Sequence, residues 1–342
     1  MKRVGRRLRS CLAAVLALSA VAVRAERPTA TKAEVAIPTP LPVKPARIED
    51  FAPPEEFLMI GSLKTHFIRK GDQGRPIVLI HGFGGSTSTW TKTVESLASR
   101  YRVYAFDLKG FGLTAKPRNS PYSMDAYTDH LLGFLDAQKL DRPVLVGHSL
   151  GGALAARFAL QYPGRVEGLV LVSPIPITLP RDPSVLKRVG GADVRSAAEA
   201  AAALNPKLAG RMIPALVRAS ITRKTVESGL KAVYHNPALV TPELVEIYYR
   251  PLTIDGAAEA LASLATPSPP PRLVPPLDTL KLPTLVTWGE HDAVVPRASF
   301  ETYARTIPGA RSFVFSESGH IPHEEQPDAF NARLNEFLDA LP

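Results

Sequence analysis

Residues 144–156 read VLVGHSLGGALAA and contain the pattern G-x-S-x-G, with Ser149 at its centre. The residues before this pattern are branched and apolar, which is typical of a buried strand, whereas those after it are small and suit a helix. A serine at such a junction stands on a sharp, strained turn, and a glycine two residues away on either side lets strand and helix approach each other. Ser149 is therefore a candidate nucleophile, and the helix N-terminus behind it favours negative charge on a bound molecule.

Short runs of branched or aromatic residues recur on both sides of this motif and predict further buried strands. The predicted strands cover residues 77–80, 103–106, 144–146, 169–172, 285–288 and 312–315. Helical patterns lie between them, at residues 123–139, 150–162 and 327–341. Continuous apolar strands that alternate with helices predict a doubly wound α/β fold with a mostly parallel sheet.

One long segment, between residues 172 and 285, contains no convincing strand. Helical spacing recurs there instead, at residues 206–219, 222–234 and 241–249. Because an unstructured loop of this length is rare in a compact domain, we expect a helical lid at residues 175–276. The lid would be inserted into a core that residues 55–174 and 277–342 form.

The first 25 residues have the pattern of an export signal. A basic stretch precedes an apolar run at residues 11–23, and Val23-Arg24-Ala25 offers small residues at the two positions that a signal peptidase inspects. This run is shorter than the roughly 20 residues that cross a bilayer, so we predict a cleaved signal peptide and an exported protein. The alternative is an uncleaved membrane anchor, and membrane contact is expected through this segment only. Residues 26–54 contain seven prolines, which predicts an extended tether.

Composition narrows the classes of function. The chain has 342 residues, of which 45% are hydrophobic, so it can bury a large core. Six of the charges behind its net charge of +9 lie in the first 25 residues, and the remainder has 35 basic and 32 acidic residues. A nucleic-acid partner is therefore not expected. The only cysteine, Cys11, lies inside the predicted signal, which leaves no thiol for a disulfide or a thiolate metal site.

Four blocks of sequence together resemble the α/β-hydrolase superfamily, within its group of lidded serine esterases. They are HGFGG at residues 81–85, DLKGFG at 107–112, GHSLGG at 147–152, and WGEHD at 288–292 followed by Gly319-His320. The blocks occur in the order that is usual for this family, and the resemblance covers about residues 57–340. It implies an α/β-hydrolase fold with an inserted helical lid.

The resemblance also implies a role for individual residues. Ser149 is the expected nucleophile, His320 its base and Asp292 the acid that orients the base. The backbone N–H groups of Phe83 and Leu150 are expected to form the oxyanion hole. Asp292 and His320 each follow a predicted strand, so both should lie at the same edge of the sheet as Ser149.

Several residues have alternative interpretations. His323 is a second candidate base, and Glu290 is a second candidate acid. His320 and His323 could form a metal pair, but no third ligand has suitable spacing, so no metal and no cofactor are expected. Trp90 is a weak candidate for the wall of a substrate pocket, with core packing as the alternative. Three further residues are expected to be structural: His81, His148 and Asp107.

These features predict an enzyme that hydrolyses a small-molecule carboxylic ester through an acyl-enzyme on Ser149. A carbon–carbon bond hydrolase or a metal-free haloperoxidase with the same triad is the alternative within this superfamily. Dehalogenases and epoxide hydrolases of this fold place an aspartate at the position of Ser149, which disfavours them. A non-catalytic ligand-binding protein is the alternative from another class, and loss of a triad member would favour it.

Overall fold

The computed structural model describes residues 56–118, 120–177, 206–264 and 272–342. Its centre is one sheet of eight strands in the order β1-β2-β4-β3-β5-β6-β7-β8. β2 pairs antiparallel with β1 and β4, and the other neighbours pair in parallel. The strands are β1 (Phe57–Ile60), β2 (Leu63–Lys70), β3 (Pro76–Ile80), β4 (Arg102–Phe106), β5 (Val144–His148), β6 (Gly168–Val172), β7 (Thr284–Gly289) and β8 (Arg311–Phe315).

Ten α-helices accompany the sheet in the described parts of the chain. They are α1 (Thr91–Leu97), α2 (Met124–Ala137), α3 (Leu150–Gln161), α4 (Pro206–Ser220), α5 (Arg223–Val233), α6 (Pro242–Leu252), α7 (Ala257–Leu264), α8 (Arg297–Thr306), α9 (Pro322–Glu325) and α10 (Pro327–Asp339). Local chemistry sets several of their starts. The side chains of Ser123, Thr222 and Thr241 accept a backbone N–H in the first turn of α2, α5 and α6.

Helices cover both faces of the sheet because alternate residues of each central strand are apolar on opposite sides. Val78 and Ile80 pack towards α2, α3 and α8, whereas Ile77 and Leu79 pack towards α1 and α10. All five residues of β3 are buried. The doubly wound α/β fold that the sequence predicts is therefore confirmed.

The strand order fixes where a site can form. β4 and β5 lie on opposite sides of β3, so the chain reverses its direction of winding at this point of the sheet. In an open parallel sheet, the loops at the carboxyl ends of the strands separate at such a reversal and leave a crevice. The loops after β3 and β5 carry residues 81–85 and Ser149, so both face this crevice.

All six predicted strands are present, within one or two residues of the predicted bounds. The antiparallel strands β1 and β2 were not individually predicted. β1 is a continuous apolar run of four residues, FLMI, that the sequence analysis did not identify, whereas polar and basic residues interrupt the apolar ones of β2. The predicted signal, residues 1–25, and the predicted tether, residues 26–54, lie wholly outside the described residues. Asp107 fixes a turn, as predicted, since its carboxylate accepts the N–H groups of Thr87 and Leu113, and it also binds His66.

Four helices, α4 to α7, lie between β6 and β7, and we call their described residues, 206–264, the insertion. The helices predicted at residues 206–219, 222–234 and 241–249 correspond to α4, α5 and α6. Some apolar residues of the insertion, such as Val217, join the main core. Others form a smaller cluster around Leu230, to which Ile321 contributes from outside the insertion. Within the described parts of the chain, no helix combines the length and apolar character that a membrane crossing needs.

Candidate active site

Ser149 is the single residue between the end of β5 and the start of α3, and it forms the turn that joins them. Its backbone has φ 52° and ψ −111°, a left-handed conformation that costs a non-glycine residue about 1–3 kcal/mol. Its N–H donates to the carbonyl of Val172 on β6 at 2.8 Å, which ties the strained residue to the sheet. The surrounding structure therefore holds the serine in a position that the local chain does not favour.

Two glycines allow this turn to form. A Cβ on Gly147 would lie 2.2 Å from the carbonyl oxygen of Gly151, and a Cβ on Gly151 would lie 2.4 Å from that of Ile80. Both distances are far below van der Waals contact, and the obstructing atoms belong to the backbone. The G-x-S-x-G spacing is thus a steric requirement of strand and helix packing directly against each other.

Asp292 and His320 form a hydrogen-bonded pair at the same edge of the sheet. Nδ1 of His320 lies 2.8 Å from Oδ2 of Asp292. The other carboxylate oxygen accepts the N–H groups of Val294 and Val295, both at 2.8 Å. The Asp292 side chain has no exposed surface. Because the ionised carboxylate only accepts hydrogen bonds, it fixes the proton on Nδ1 and leaves Nε2 of His320 free to act as a base.

His148 connects the serine turn to the histidine loop. Its Nε2–H donates to the backbone carbonyl of His320 at 2.9 Å, and the two imidazole rings lie 4.8 Å apart between centroids. Burial lowers the pKa of His148 well below its usual value, and the neighbouring His320 and His323 rings lower it further. His148 is therefore neutral, which keeps a second positive charge away from His320.

The loop after β3 lies against Ser149. A Cβ on Gly82 would come within 3.1 Å of the Cβ of Ser149, so the chain at this point approaches the nucleophile closely. Phe83 follows Gly82 directly, and Leu150 is the first residue of α3. These are the positions that the sequence predicts for the two oxyanion-hole N–H groups. The Phe83 ring is partly exposed and packs edge-on against Phe111, with centroids 5.5 Å apart.

The structure distinguishes the predicted site residues from the alternative candidates, His323 and Glu290. Ser149, Asp292 and His320 lie at one edge of the sheet, and their roles in catalysis stay predictions. His323 is buried and its ring nitrogens have no hydrogen-bond partner among the described residues; burial lowers its pKa to about 3. It is therefore unsuited to act as the base. Glu290 is exposed, and Asp292 binds the histidine in its place.

Trp90 lies in the core instead of lining a pocket. Its side chain has no exposed surface and stacks on the ring of His323, with centroids 4.0 Å apart and planes inclined by 21°. Phe330 of α10 packs beside it. Because these contacts cover the indole, the core-packing interpretation replaces the suggestion that Trp90 contacts a substrate.

Sequence analysis missed part of the arrangement around His320. His148 was expected only to pack, yet it hydrogen-bonds to the base. Glu325 was not identified, although its carboxylate accepts the N–H of Gly319. An acid five residues after a Gly-His pair was the only available signal. Among the described residues, no group of three or more histidine, cysteine, aspartate or glutamate side chains is placed to hold a metal ion.

Comparison with known proteins places the chain in a family. A family model described as alpha/beta hydrolase fold matches residues 75–327. The 2-hydroxy-6-oxo-2,4-heptadienoate hydrolase of Pseudomonas putida F1 is 31% identical over 293 residues, which are 83% of this chain and 95% of that enzyme. The solved meta-cleavage product hydrolase of Pseudomonas fluorescens IP01 is 28% identical, with a TM-score of 0.65 over 83% of this chain and 96% of that one.

A third similar protein has a different activity. A solved thermophilic esterase from Thermogutta terrifontis is 26% identical, with a TM-score of 0.62 over 87% of this chain and 99% of that one. The sheet order and the strained serine turn are consistent with the family match, which covers most of the chain. This chain therefore belongs to the α/β-hydrolase fold family.

Proposed function

We propose that this protein is a serine hydrolase that cleaves a carbon–carbon bond next to a ketone, in a substrate of the 2-hydroxy-6-oxo-dienoate class. The observation that carries the proposal is the strained Ser149 turn linked through His148 to the His320–Asp292 pair. The substrate class is the one in the name of the similar hydrolase from Pseudomonas putida F1, which is matched over 95% of its length, and the second similar protein is a meta-cleavage product hydrolase. Carbon–carbon bond hydrolysis, the alternative that the sequence left open, is thus favoured over ester hydrolysis.

The chemistry of such a substrate suits this site. Transfer of the proton from the 2-hydroxyl group to carbon 5 converts carbon 2 to a ketone and removes the conjugation of the existing ketone at carbon 6. Ser149 Oγ attacks that carbonyl carbon while His320 Nε2 takes the serine proton. The bond between carbons 5 and 6 then breaks, and its electron pair is delocalised onto the oxygen at carbon 2, which takes the proton from His320.

Water completes the reaction. His320 removes a proton from a water molecule, which attacks the acyl group on Ser149 and releases it as a carboxylic acid. With 2-hydroxy-6-oxo-2,4-heptadienoate, the products are acetate and a five-carbon 2-hydroxydienoate, so one water is consumed for each bond cleaved. The N–H groups of Phe83 and Leu150 would stabilise the oxyanion in both halves of the reaction. In another serine hydrolase, removal of one such donor costs about 3 kcal/mol of transition-state stabilisation.

Ester hydrolysis is the second candidate, and the similarity to the thermophilic esterase favours it. The same serine, histidine and oxyanion groups attack an ester carbonyl equally well. The two reactions differ in the leaving group, since an alkoxide needs a proton on oxygen whereas a carbanion needs a conjugated acceptor. Relative rates on matched substrates therefore distinguish them.

The test compares two acetyl donors, 2-hydroxy-6-oxo-2,4-heptadienoate and p-nitrophenyl acetate. We expect kcat/KM to be more than about tenfold higher for the dienoate, with acetate and the 2-hydroxydienoate as products. Substitution S149A should lower both rates by about 10⁴-fold or more and leave the circular dichroism spectrum unchanged. A higher kcat/KM for the ester would transfer the proposal to ester hydrolysis, and full activity of S149A would refute both.

A further inference from the structure

The backbone of His320 is bonded on two sides. Its N–H donates to the carbonyl of Val233, the last residue of α5 in the insertion, at 2.8 Å. Its carbonyl accepts the Nε2–H of His148 at 2.9 Å. The position of this histidine thus depends on both the serine turn and the insertion.

Glu325, at the end of α9, reaches both parts of the chain that meet at His320. Its Oε1 accepts the N–H of Gly319 at 2.8 Å and lies 3.4 Å from the N–H nitrogen of Ile321, so it binds the residues on both sides of the histidine. Its Oε2 accepts the N–H of His235 at 2.6 Å. His235 lies two residues beyond Val233, the residue that receives the His320 N–H.

The two segments that Glu325 joins are in direct backbone contact. A Cβ on Gly319 would lie 2.4 Å from the carbonyl oxygen of Val233 and 2.7 Å from the backbone nitrogen of His235. Only glycine permits this approach. The adjacent Glu324 reinforces it, because its Oε2 accepts the hydroxyl of Tyr248 at 2.8 Å.

We propose that Glu325 is a positioning residue for His320, which holds the histidine loop and the 233–235 segment of the insertion in one arrangement. The inference rests on the proposed function only in taking His320 as the base. Misplacement of a reacting group by about 1 Å can lower a rate by about 100-fold, so a support at both neighbours of the base has a direct effect on turnover. Glu325 makes no hydrogen bond to Ser149 and acts on His320 through the backbone on either side of it.

Substitution E325Q tests this role while keeping the size of the side chain. Glutamine has one carbonyl oxygen, so it can accept the N–H of Gly319 or that of His235, but not both. Its NH₂ group then faces the N–H of the other residue, where no hydrogen bond can form. We expect kcat to fall by about 10- to 100-fold while KM changes by less than about threefold. E325D keeps the charge but shortens the reach, and we expect a loss in the same direction.

The matched control is E317Q, which removes the same charge from the loop that precedes α9. The Glu317 carboxylate is largely exposed, at 74% for its side chain, and lies 3.8 Å from Nε2 of His235. It makes no backbone contact that Glu325 makes, so we expect E317Q to retain the wild-type rate. Thermal melting of all three variants separates a loss of folded protein from a loss of rate.

Two readouts report on His320 without a physiological substrate. One is the rate at which a fluorophosphonate probe labels Ser149, which depends on the base. The other is the downfield ¹H resonance of the His320 Nδ1 proton shared with Asp292. In folded E325Q we expect labelling to slow by about 10- to 100-fold and the resonance to shift or broaden, while E317Q matches wild type.

The outcomes separate this inference from the proposed function. Wild-type labelling and an unchanged resonance in E325Q and E325D would overturn the positioning role, even if both variants melt earlier. If wild type itself resists the probe, the nucleophile assignment fails instead. The resonance then decides the positioning role alone, because a shift supports it and an unchanged signal refutes it.

Discussion

Ser149 and its neighbours differ in how far the sequence reveals them. The G-x-S-x-G pattern, the aspartate after one strand and the histidine after another suffice to place Ser149, Asp292 and His320 at one edge of the sheet. The supports of His320 are not visible in this way. His148 and Glu325 act on backbone groups, and a backbone acceptor such as Val233 has no sequence signature because every residue carries the same carbonyl.

The strained backbone of Ser149 leads to a stability prediction. Glycine adopts φ 52° without the penalty that serine or alanine incurs, so S149G should be more stable than S149A. Relief of about 1–3 kcal/mol of strain is partly offset by the greater freedom of glycine in the unfolded chain. We therefore expect S149G to exceed S149A by about 1 kcal/mol in free energy of unfolding, with both inactive.

Urea denaturation at a fixed pH measures this difference, with equal m-values as the condition for comparing midpoints. The serine hydroxyl is absent from both variants, so its loss cannot account for the result. Equal stability of the two, or a less stable S149G, would show that the strain at this residue does not exceed the entropic cost of glycine, against our expectation.

At the scale of elements, periodicity predicted the parallel strands, α2, α3 and α10, and three helices of the insertion. Buried strands have continuous apolar runs, and side-chain caps such as Ser123 mark helix starts. The short helix α9 was not predicted, because four residues are too few to show a period. Yet α9 presents two carboxylates, of Glu324 and Glu325, to the insertion. This short element thus forms one of the junctions between core and insertion.

Glu324 predicts how this junction responds to pH. Burial, with a smaller contribution from the charge of Glu325, raises the pKa of its carboxyl to about 7, despite hydrogen bonds from the hydroxyls of Tyr234 and Tyr248. In the unfolded chain a glutamate titrates near 4.5. Between these values the folded protein binds more protons than the unfolded chain, so the carboxyl lowers stability as pH rises through this range.

The substitution E324Q removes this titration. Its free energy of unfolding relative to wild type should increase by about 1–2 kcal/mol between pH 5 and pH 8, because only wild type then holds an unfavourable buried charge. Urea denaturation at both pH values provides the measurement, and E317Q, with an exposed carboxylate, is the control. A difference that does not vary with pH would show that Glu324 ionises as an ordinary glutamate.

On the scale of the whole molecule, four sequence blocks were enough to predict the fold, since each corresponds to a loop at one edge of a parallel sheet. The type of bond cleaved was not predictable in the same way. Esterases and carbon–carbon bond hydrolases share the triad, and the shape of a substrate pocket depends on tertiary packing of the insertion. The proposed cleavage of a bond next to a ketone, instead of an ester bond, rests on the similarity to known hydrolases and not on the motif.

The distribution of the core predicts the effect of a truncation. All eight strands and the three predicted catalytic residues lie between Phe57 and His320. We therefore expect a variant that begins at residue 51 to keep the melting temperature within about 3 °C and kcat/KM within about twofold of the full chain, since it leaves every described contact intact. Unfolding of this variant would show that the preceding residues, proposed to be a signal and a tether, contribute to the folded body.

Both tryptophans of the chain are buried beside the loops that carry the acid and the base. Trp90 stacks on His323, three residues after His320, whereas the indole N–H of Trp288 donates to Val295 in the Asp292 loop. The protein thus contains two tryptophan fluorophores, one beside each half of the acid–base pair. Opening of either loop would expose an indole to water, so ordinary ultraviolet emission can follow the integrity of this region without an attached dye.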